Sequence, residues 1–226
     1  EFNNNIATVR HEITSEDFTV DIDGANVSIV NTSIENLNYY LSGTSNDGSF
    51  SLESEVAYNV ILDNIELTST STVPLNLSKN IERNIMLANG SVNVLTDNSD
   101  SDGKAVINTK GATDISGNGT LTINANKKHG ISSDNDININ GVTININHTA
   151  DASKGLKSDC NISLTDSDVT IVSSGSLTLE ELDLGYDPTY CTAIGADLNF
   201  EMNGGNLSIT LPESNVAGRG IKVDGN

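Results

Sequence analysis

The stretch "KKHGISSDNDININGVTININ" at residues 127–147 decides the fold, because one short pattern occurs twice within it. Apolar residues alternate with polar ones at Ile137/Ile139 and again at Ile144/Ile146, with the glycine-containing segment "NGVT" between the two pairs. Alternation with a period of two is typical of a β-strand, and glycine after asparagine is typical of a tight turn. Together with the apolar residue Ile131, the stretch predicts three short strands joined by turns.

The same pattern recurs along the chain at a nearly constant interval. The apolar residues that open successive repeats lie 24, 25, 38 and 27 residues apart, and they are Ile107, Ile131, Leu156, Ile194 and Ile221. The long interval contains "SGSLTLEELDLGYDPTYC" (174–191), which we interpret as an inserted loop. Three short strands in each coil of about 25 residues predict an all-β parallel β-helix, since a β-sandwich has longer strands and no fixed period.

The repeat pattern also predicts how the chain is organised. We expect a single domain over residues 1–226, with an N-terminal cap and irregular first coils at 1–56 and regular coils at 57–226. The final "GIKVDGN" opens a repeat and stops, so we expect the native protein to continue beyond this C-terminus. No apolar run approaches the roughly 20 residues of a membrane-spanning helix. Cys160 and Cys191 lie on neighbouring repeats, where either a disulfide or two free thiols would fit.

Aspartates recur at one position of the coil, three residues after the opening apolar residue. They are Asp134, Asp159, Asp197 and Asp224, and Lys110 occupies the same position in the Ile107 repeat. Carboxylates stacked about 5 Å apart repel each other by roughly 1 kcal/mol in water. Bound Ca²⁺ would relieve this repulsion, and Asp136 could supply a further oxygen ligand. The alternative is that these aspartates only form Asx turns on a soluble acidic surface.

Basic residues gather beside these aspartates although the chain has a formal net charge of −20 and an isoelectric point near 4.1. This charge argues against a nucleic-acid partner. Eight of the eleven basic residues fall near this one edge: Lys104, Lys110, Lys127, Lys128, Lys154, Lys157, Arg219 and Lys222. We predict that Lys128, His129, Lys154, Lys157, Arg219 and Lys222 bind a polyanion that carries regularly spaced carboxylates. The alternative is that the basic residues only neutralise the aspartates through exposed ion pairs.

Several stretches resemble the bacterial β-helix carbohydrate-binding proteins that are related to pectate lyases and whose clostridial representative binds cellulose and acidic sugars. The matching segments include "YYLSGTSNDGSFSL" (39–52), "NVILDNIELTS" (59–69), residues 92–146 and "AIGADLNFEMNGGNLSIT" (193–210). The resemblance implies a right-handed parallel β-helix, a secreted or cell-surface location and bound calcium near the "GISSD"-type repeats. It also implies binding of polymers similar to polygalacturonate. Lysine and glycine are not kept in every repeat here, since two repeats read "GLKSDC" and "AIGAD".

These observations leave three functions open. The first is non-catalytic, calcium-assisted binding of an acidic polysaccharide, which the absence of tryptophan favours over stacking on a neutral glucan such as cellulose. The second is a calcium-dependent polysaccharide lyase; the related lyases use an arginine as base, and only Arg219 lies near the aspartates. The third is a structural or adhesive surface module, because fold alone does not define function.

Overall fold

The computed structural model describes residues 1–211 and 217–225, and within them it contains 23 β-strands and no helix. In chain order the strands are β1 (Phe2–Asn3), β2 (Ile6–Ala7), β3 (Phe18–Asp23), β4 (Asn26–Asn31), β5 (Leu37–Ser45), β6 (Ser49–Ser54), β7 (Tyr58–Ser69), β8 (Leu75–Ser78), β9 (Arg83–Leu87), β10 (Val92–Asp97), β11 (Ala105–Thr109), β12 (Thr113–Gly117), β13 (Thr120–Ala125), β14 (His129–Ser133), β15 (Ile137–Asn140), β16 (Thr143–His148), β17 (Lys154–Ser158), β18 (Ile162–Ser173), β19 (Thr178–Leu182), β20 (Gly185–Thr189), β21 (Thr192–Ala196), β22 (Phe200–Thr210) and β23 (Arg219–Val223).

Stacked coils form the predicted all-β parallel β-helix. A first sheet has the order β23-β21-β17-β14-β11-β8-β6-β4-β3, and a twelve-stranded second sheet wraps around the other two sides of the coil. One coil therefore runs through β14, β15 and β16, which are the three strands predicted from residues 127–147. The turn between β15 and β16 contains Gly141, whose φ of 67° is one that glycine adopts without strain.

The register of the first sheet aligns the residues that define the repeat. Ile107 pairs with Ile131, Ile131 with Leu156, and Leu156 with Ile194, so the predicted period corresponds to one coil. These four side chains are fully buried. Burial of an aliphatic side chain of this size contributes about 1.5–3 kcal/mol, so each ladder of like residues stabilises the stack of coils. Intervening polar residues point outward and form columns on the surface, one residue per coil.

Antiparallel pairing is confined, among the described residues, to β1–β2, β3–β4 and the hairpin β19–β20. The hairpin lies within the predicted inserted loop. Parallel pairing already begins inside residues 1–56, where β4 pairs with β6 and β5 pairs with β7. Coils are therefore present within residues 1–56, alongside the antiparallel pairs β1–β2 and β3–β4. In this part of the core, aromatic packing of Phe18, Tyr39, Phe50 and Tyr58 adds to the aliphatic ladder.

Candidate functional site

The aspartates that recur in the sequence follow directly after the strands of the first sheet. The backbone N–H groups of Asp134, Asp159, Asp197 and Asp224 each donate to a carbonyl of the preceding coil, at 3.2, 3.1, 3.1 and 3.1 Å. All four side chains are exposed. The main chain thus stacks these residues one coil apart along a single edge, at the strand spacing of about 4.8 Å. We call them the aspartate column.

Asp136 lies outside the aspartate column, two residues further along the turn. Its Oδ1 atom accepts hydrogen bonds from the backbone N–H of Asn161 at 3.0 Å and from the side-chain amide of the same residue at 2.8 Å. The carboxylate therefore tethers the next coil. Asp136 was predicted as a metal ligand together with the four members of the aspartate column. It lies outside that column because it is in the turn between β14 and β15, two residues beyond Asp134.

Two of the four carboxylates of the column pair with lysines of their own coil. Lys157 forms an ion pair with Asp159, and the Nζ atom of Lys222 lies 2.6 Å from Oδ2 of Asp224. In residues 1–211 and 217–225, no group of three or more His, Cys, Asp or Glu side chains is placed to hold a metal ion. A calcium ion at this edge would rely on two neighbouring carboxylates and on main-chain oxygens, and its presence stays a prediction.

Three lysines meet on the outer face of the first sheet. Lys157, Gly195 and Lys222 occupy one register column, and Lys154 lies three residues before Lys157 on β17. The side chain of Lys154 crosses the outer surface of Gly195, since a Cβ atom added to that glycine would lie 2.8 Å from Cδ and 2.9 Å from Cε of Lys154. The missing side chain of Gly195 thus makes room for Lys154 between Lys157 and Lys222. We call Lys154, Lys157 and Lys222 the lysine cluster.

All three lysines are partly buried, and Lys154 differs from its two neighbours because it has no carboxylate partner within 4 Å among the described residues. Burial lowers the pKa of Lys154, and the positive charges of Lys157 and Lys222 act in the same direction. The carboxylates of Asp197 and Asp159 oppose this shift. A ligand carboxylate placed here would meet a cation that is not yet paired and whose stem is already held by packing.

Arg219 extends the positive surface in the register column that also contains Lys154 and Thr192. Its guanidinium carbon lies 3.4 Å from the ring centre of Tyr190, which follows the hairpin β19–β20. A cation stacked on an aromatic ring gains about 0.5–2 kcal/mol and loses freedom of rotation. Arg219 is therefore held flat against the ring, and the described carboxylates form no ion pair with it.

The two remaining predicted binding residues differ from each other. Lys128 is exposed. His129 is only 8% exposed, and its Nδ1 atom accepts a hydrogen bond from the backbone N–H of Lys154 at 2.9 Å. Burial, followed by the charges of Lys128 and Lys154, lowers the pKa of His129 to about 3. His129 is uncharged at neutral pH and positions β17, so it adds no positive charge to the predicted column.

The cysteines are both free, with Cys191 buried and Cys160 partly exposed. The Cys191 sulfur lies 3.2 Å from the hydroxyl of Ser173 and 3.7 Å from Nδ1 of His148 in a closed polar cluster. The cluster is part of the core, because each of these three side chains is fully buried. It therefore belongs to the packing of the coil rather than to the exposed lysine cluster.

Two features of the site are not visible in the sequence pattern. The first is the space above Gly195. Once the register is known, a glycine between Lys157 and Lys222 in one column does indicate such a space. The second is the stacking of Arg219 on Tyr190, which depends on how the inserted hairpin returns to the first sheet. Neither residue spacing nor composition fixes such side-chain contacts.

These features define a class of protein: a parallel β-helix whose outer columns form a charged surface. The chain belongs to the family described as carbohydrate-binding domain-containing proteins, whose sequence model matches residues 23–183. A protein of the same description from Acetivibrio thermocellus is 34% identical over 137 residues, which are 56% of this chain and 48% of the relative. The chain thus spans about half the length of that curated relative.

A solved structure gives the same fold by an independent comparison. It is described as a polysaccharide lyase-like protein from C. thermocellum in a gadolinium derivative, and it superposes with a TM-score of 0.75 at 22% sequence identity. The match covers 99% of this chain and 93% of the other. At this level of identity the likeness supports the fold alone. In the described residues no helix has the length and apolar character needed to cross a membrane.

Proposed function

We propose that the domain is a non-catalytic module that binds an acidic polysaccharide, of the polygalacturonate type, along the lysine cluster and Arg219. Membership of the carbohydrate-binding family supports the general activity. The observation that carries the acidic ligand is Lys154, a half-buried cation with no carboxylate partner in the described chain, held above Gly195 between two further lysines. A ligand carboxylate that displaces water from Lys154 would pair with a cation whose side chain is already ordered by packing. Binding would therefore cost little side-chain entropy.

Calcium would assist by bridging ligand carboxylates to neighbouring members of the aspartate column. Two members of that column already pair with lysines, so we expect calcium to strengthen binding rather than to be required for it. We expect the domain to act outside the cell or at its surface, where such polymers occur. Fractionation of the producing cells, with detection of the domain by antibody, tests this location.

The experiment compares binding of polygalacturonate by the unchanged chain, by a Lys154→Ala/Lys222→Ala variant and by a matched control. Lys79→Ala is the control, because Lys79 lies three coils from Lys157 and is already paired with Glu53 and Glu55. We expect at least tenfold weaker binding, about 1.4 kcal/mol, in the double variant and no change in the control. Titrations with added calcium and with a chelator separate the contribution of the metal.

Equal affinity of all three proteins for polygalacturonate would refute the acidic-ligand proposal. The absence of binding to any polysaccharide would favour a structural or adhesive surface module instead. Binding should also weaken with added salt, because charges separated by more than about 8 Å are screened at physiological ionic strength.

Lyase activity is the second candidate, favoured by the fold shared with a polysaccharide lyase-like protein. Arg219 would have to take the proton, yet its guanidinium is stacked on Tyr190. Ultraviolet absorbance of unsaturated sugar products, measured with the unchanged chain and with Arg219→Lys, tests this candidate. Product formation that Arg219→Lys abolishes would establish the lyase and replace the binding proposal.

A further inference from the structure

A cavity of about 190 Å³ lies at the N-terminal end of the stack of coils, at the opposite end from the lysine cluster. Strands β4, β5 and β6 contribute one part of its wall, and the connection from β2 to β3 contributes another. This connection, residues 8–17, contains no strand. We call it the N-terminal strap and the space behind it the strap cavity. The wall on the side of the coils includes Val27, Ile29, Tyr39, Leu41 and Phe50.

The N-terminal strap is held against the coils by side chains. Val9 and Ile13 are partly buried and pack against the core. In the part of the chain that the structure describes, no hydrogen bond joins residues 9–14 to the coils, and the bond from Nδ1 of His11 to the carbonyl of Ile13 stays within the strap. A segment with so few bonds opens at low cost in free energy. The strap can therefore move aside and admit a small molecule without breaking bonds of the sheets.

The size and the lining of the strap cavity fit one aromatic ring. A closely packed core leaves few voids larger than a water molecule, and an apolar cavity of about 150 Å³ is large enough to bind benzene. The rings of Phe18 and Tyr39 are stacked with their centres 6.4 Å apart, and the ring of Phe50 lies tilted at 6.2 Å from that of Tyr39. A bound ring would gain from further stacked or edge-to-face contacts with these side chains.

Charged groups lie at the edge of the strap cavity. Arg10 and His11 line it from the strap, Glu1 also lines it, and all three side chains are exposed. Arg10 has no carboxylate of the described residues within 4 Å, and Glu1 is no exception. A guanidinium presents two parallel N–H donors that match the two oxygens of a carboxylate. An apolar interior with an unpaired guanidinium at its edge suits a ligand that is aromatic at one end and anionic at the other.

We propose that the strap cavity binds a small aromatic carboxylate with a single ring. The ring packs among Phe18, Tyr39 and Phe50, and the carboxylate pairs with Arg10. This site is independent of the lysine cluster and goes beyond the polysaccharide binding proposed above, because an apolar space for one ring offers no surface to a sugar chain. The bound molecule contacts both the strap and the coils, so it also stabilises the closed position of the strap.

Fluorine NMR titrations with 4-fluorobenzoate, and with the uncharged 4-fluorobenzamide, test the proposal. Arg10→Gln removes the guanidinium, and Ile13→Trp fills the cavity from the strap. Lys110→Gln is the matched control, because it removes one positive charge from an exposed position that does not line the cavity. We expect at least tenfold weaker binding of 4-fluorobenzoate to both cavity variants and no change in the control.

The amide probe isolates the contribution of the carboxylate. We expect 4-fluorobenzamide to bind the unchanged chain at least tenfold more weakly than 4-fluorobenzoate does, and Arg10→Gln to leave its binding unchanged. Equal binding of the two probes to the unchanged chain would refute the pairing with Arg10 and overturn the proposal. If Ile13→Trp fails to fold in thermal melting, Arg10→Gln and the two probes still decide the outcome.

The absence of 4-fluorobenzoate binding to the unchanged chain would also overturn the proposal, as would equal binding by folded cavity variants and the control. The lysine variant Lys154→Ala/Lys222→Ala should bind 4-fluorobenzoate as the unchanged chain does. Loss of this binding in the lysine variant would place the probe at the lysine cluster and overturn the assignment to the strap cavity. Loss of polygalacturonate binding alone would leave the strap cavity standing.

Discussion

Acid should weaken this fold through its buried histidines, and His148 is the clearest case. His148 is fully buried, its Nδ1 atom lies 2.7 Å from the hydroxyl of Ser153, and its Nε2 atom has no hydrogen-bond partner. Burial lowers the pKa of His148 from 6.5 to about 4. The unfolded chain therefore takes up a proton before the folded chain does. Stability is unaffected above about pH 6.5 and falls as the pH decreases from there towards about 4.

The size of the effect follows from the two pKa values. A difference of between two and three pKa units corresponds to at most about 3 kcal/mol, most of which is lost between about pH 7.5 and pH 4.5. Urea denaturation across this pH range measures the loss in the unchanged chain and in His148→Gln. Because all other titrating groups are shared, we expect the free energy of unfolding of His148→Gln to fall by about 2 kcal/mol less over this range than that of the unchanged chain.

The matched control for this experiment is His11→Gln, since His11 lies exposed on the N-terminal segment. We expect it to follow the unchanged chain. Coincident slopes for His148→Gln and the unchanged chain between about pH 7.5 and pH 4.5 would refute the reasoning, because they would mean that burial does not keep His148 uncharged.

Three further predictions concern the lysine cluster, the core and the stacking of Arg219 on Tyr190. Gly195→Val should displace Lys154 and weaken polygalacturonate binding at least fivefold, while calorimetry should show little change in the melting temperature. Unchanged binding would contradict the role of Gly195. Leu156→Ala should cost about 2–5 kcal/mol in urea denaturation, because its fully buried side chain would leave a cavity between two coils; a loss below 1 kcal/mol would contradict tight stacking. Tyr190→Ala should remove about 0.5–2 kcal/mol of stacking energy from Arg219 and destabilise the hairpin. Proteolysis within residues 174–191 should therefore become faster, and an unchanged rate would count against the contact.

The coil could be predicted from sequence because its cause is periodic. One buried aliphatic residue per coil, as at Ile131 and Leu156, is enough to set the register, and the register then places Asp134 above Asp159 without further information. Residues in turns escape this reasoning. Asp136 departs from the aspartate column because the turn redirects its side chain towards Asn161.

Side-chain contacts across coils could not be predicted, because they depend on the conformations that neighbouring residues leave free. His129 has the sequence position of a surface cation, yet packing buries its ring and a hydrogen bond from the backbone of Lys154 occupies it. Lys154 takes its position only because the next coil lacks a side chain at Gly195. A column of charges in a sequence thus predicts which residues share an edge of the coil, whereas their burial and pairing can be read only from the structure.

The polar side chains stacked on the outer face of the second sheet also have a mechanical consequence. Their hydrogen bonds, such as those from Asn84 to Asn59 and from Asn138 to Asp114, connect one coil of the solenoid to the next and lie outside the core. Tension along the stack of coils would load several of these links in parallel with the backbone bonds of the sheet. The outer face of the sheet would therefore resist elongation of the domain together with its core.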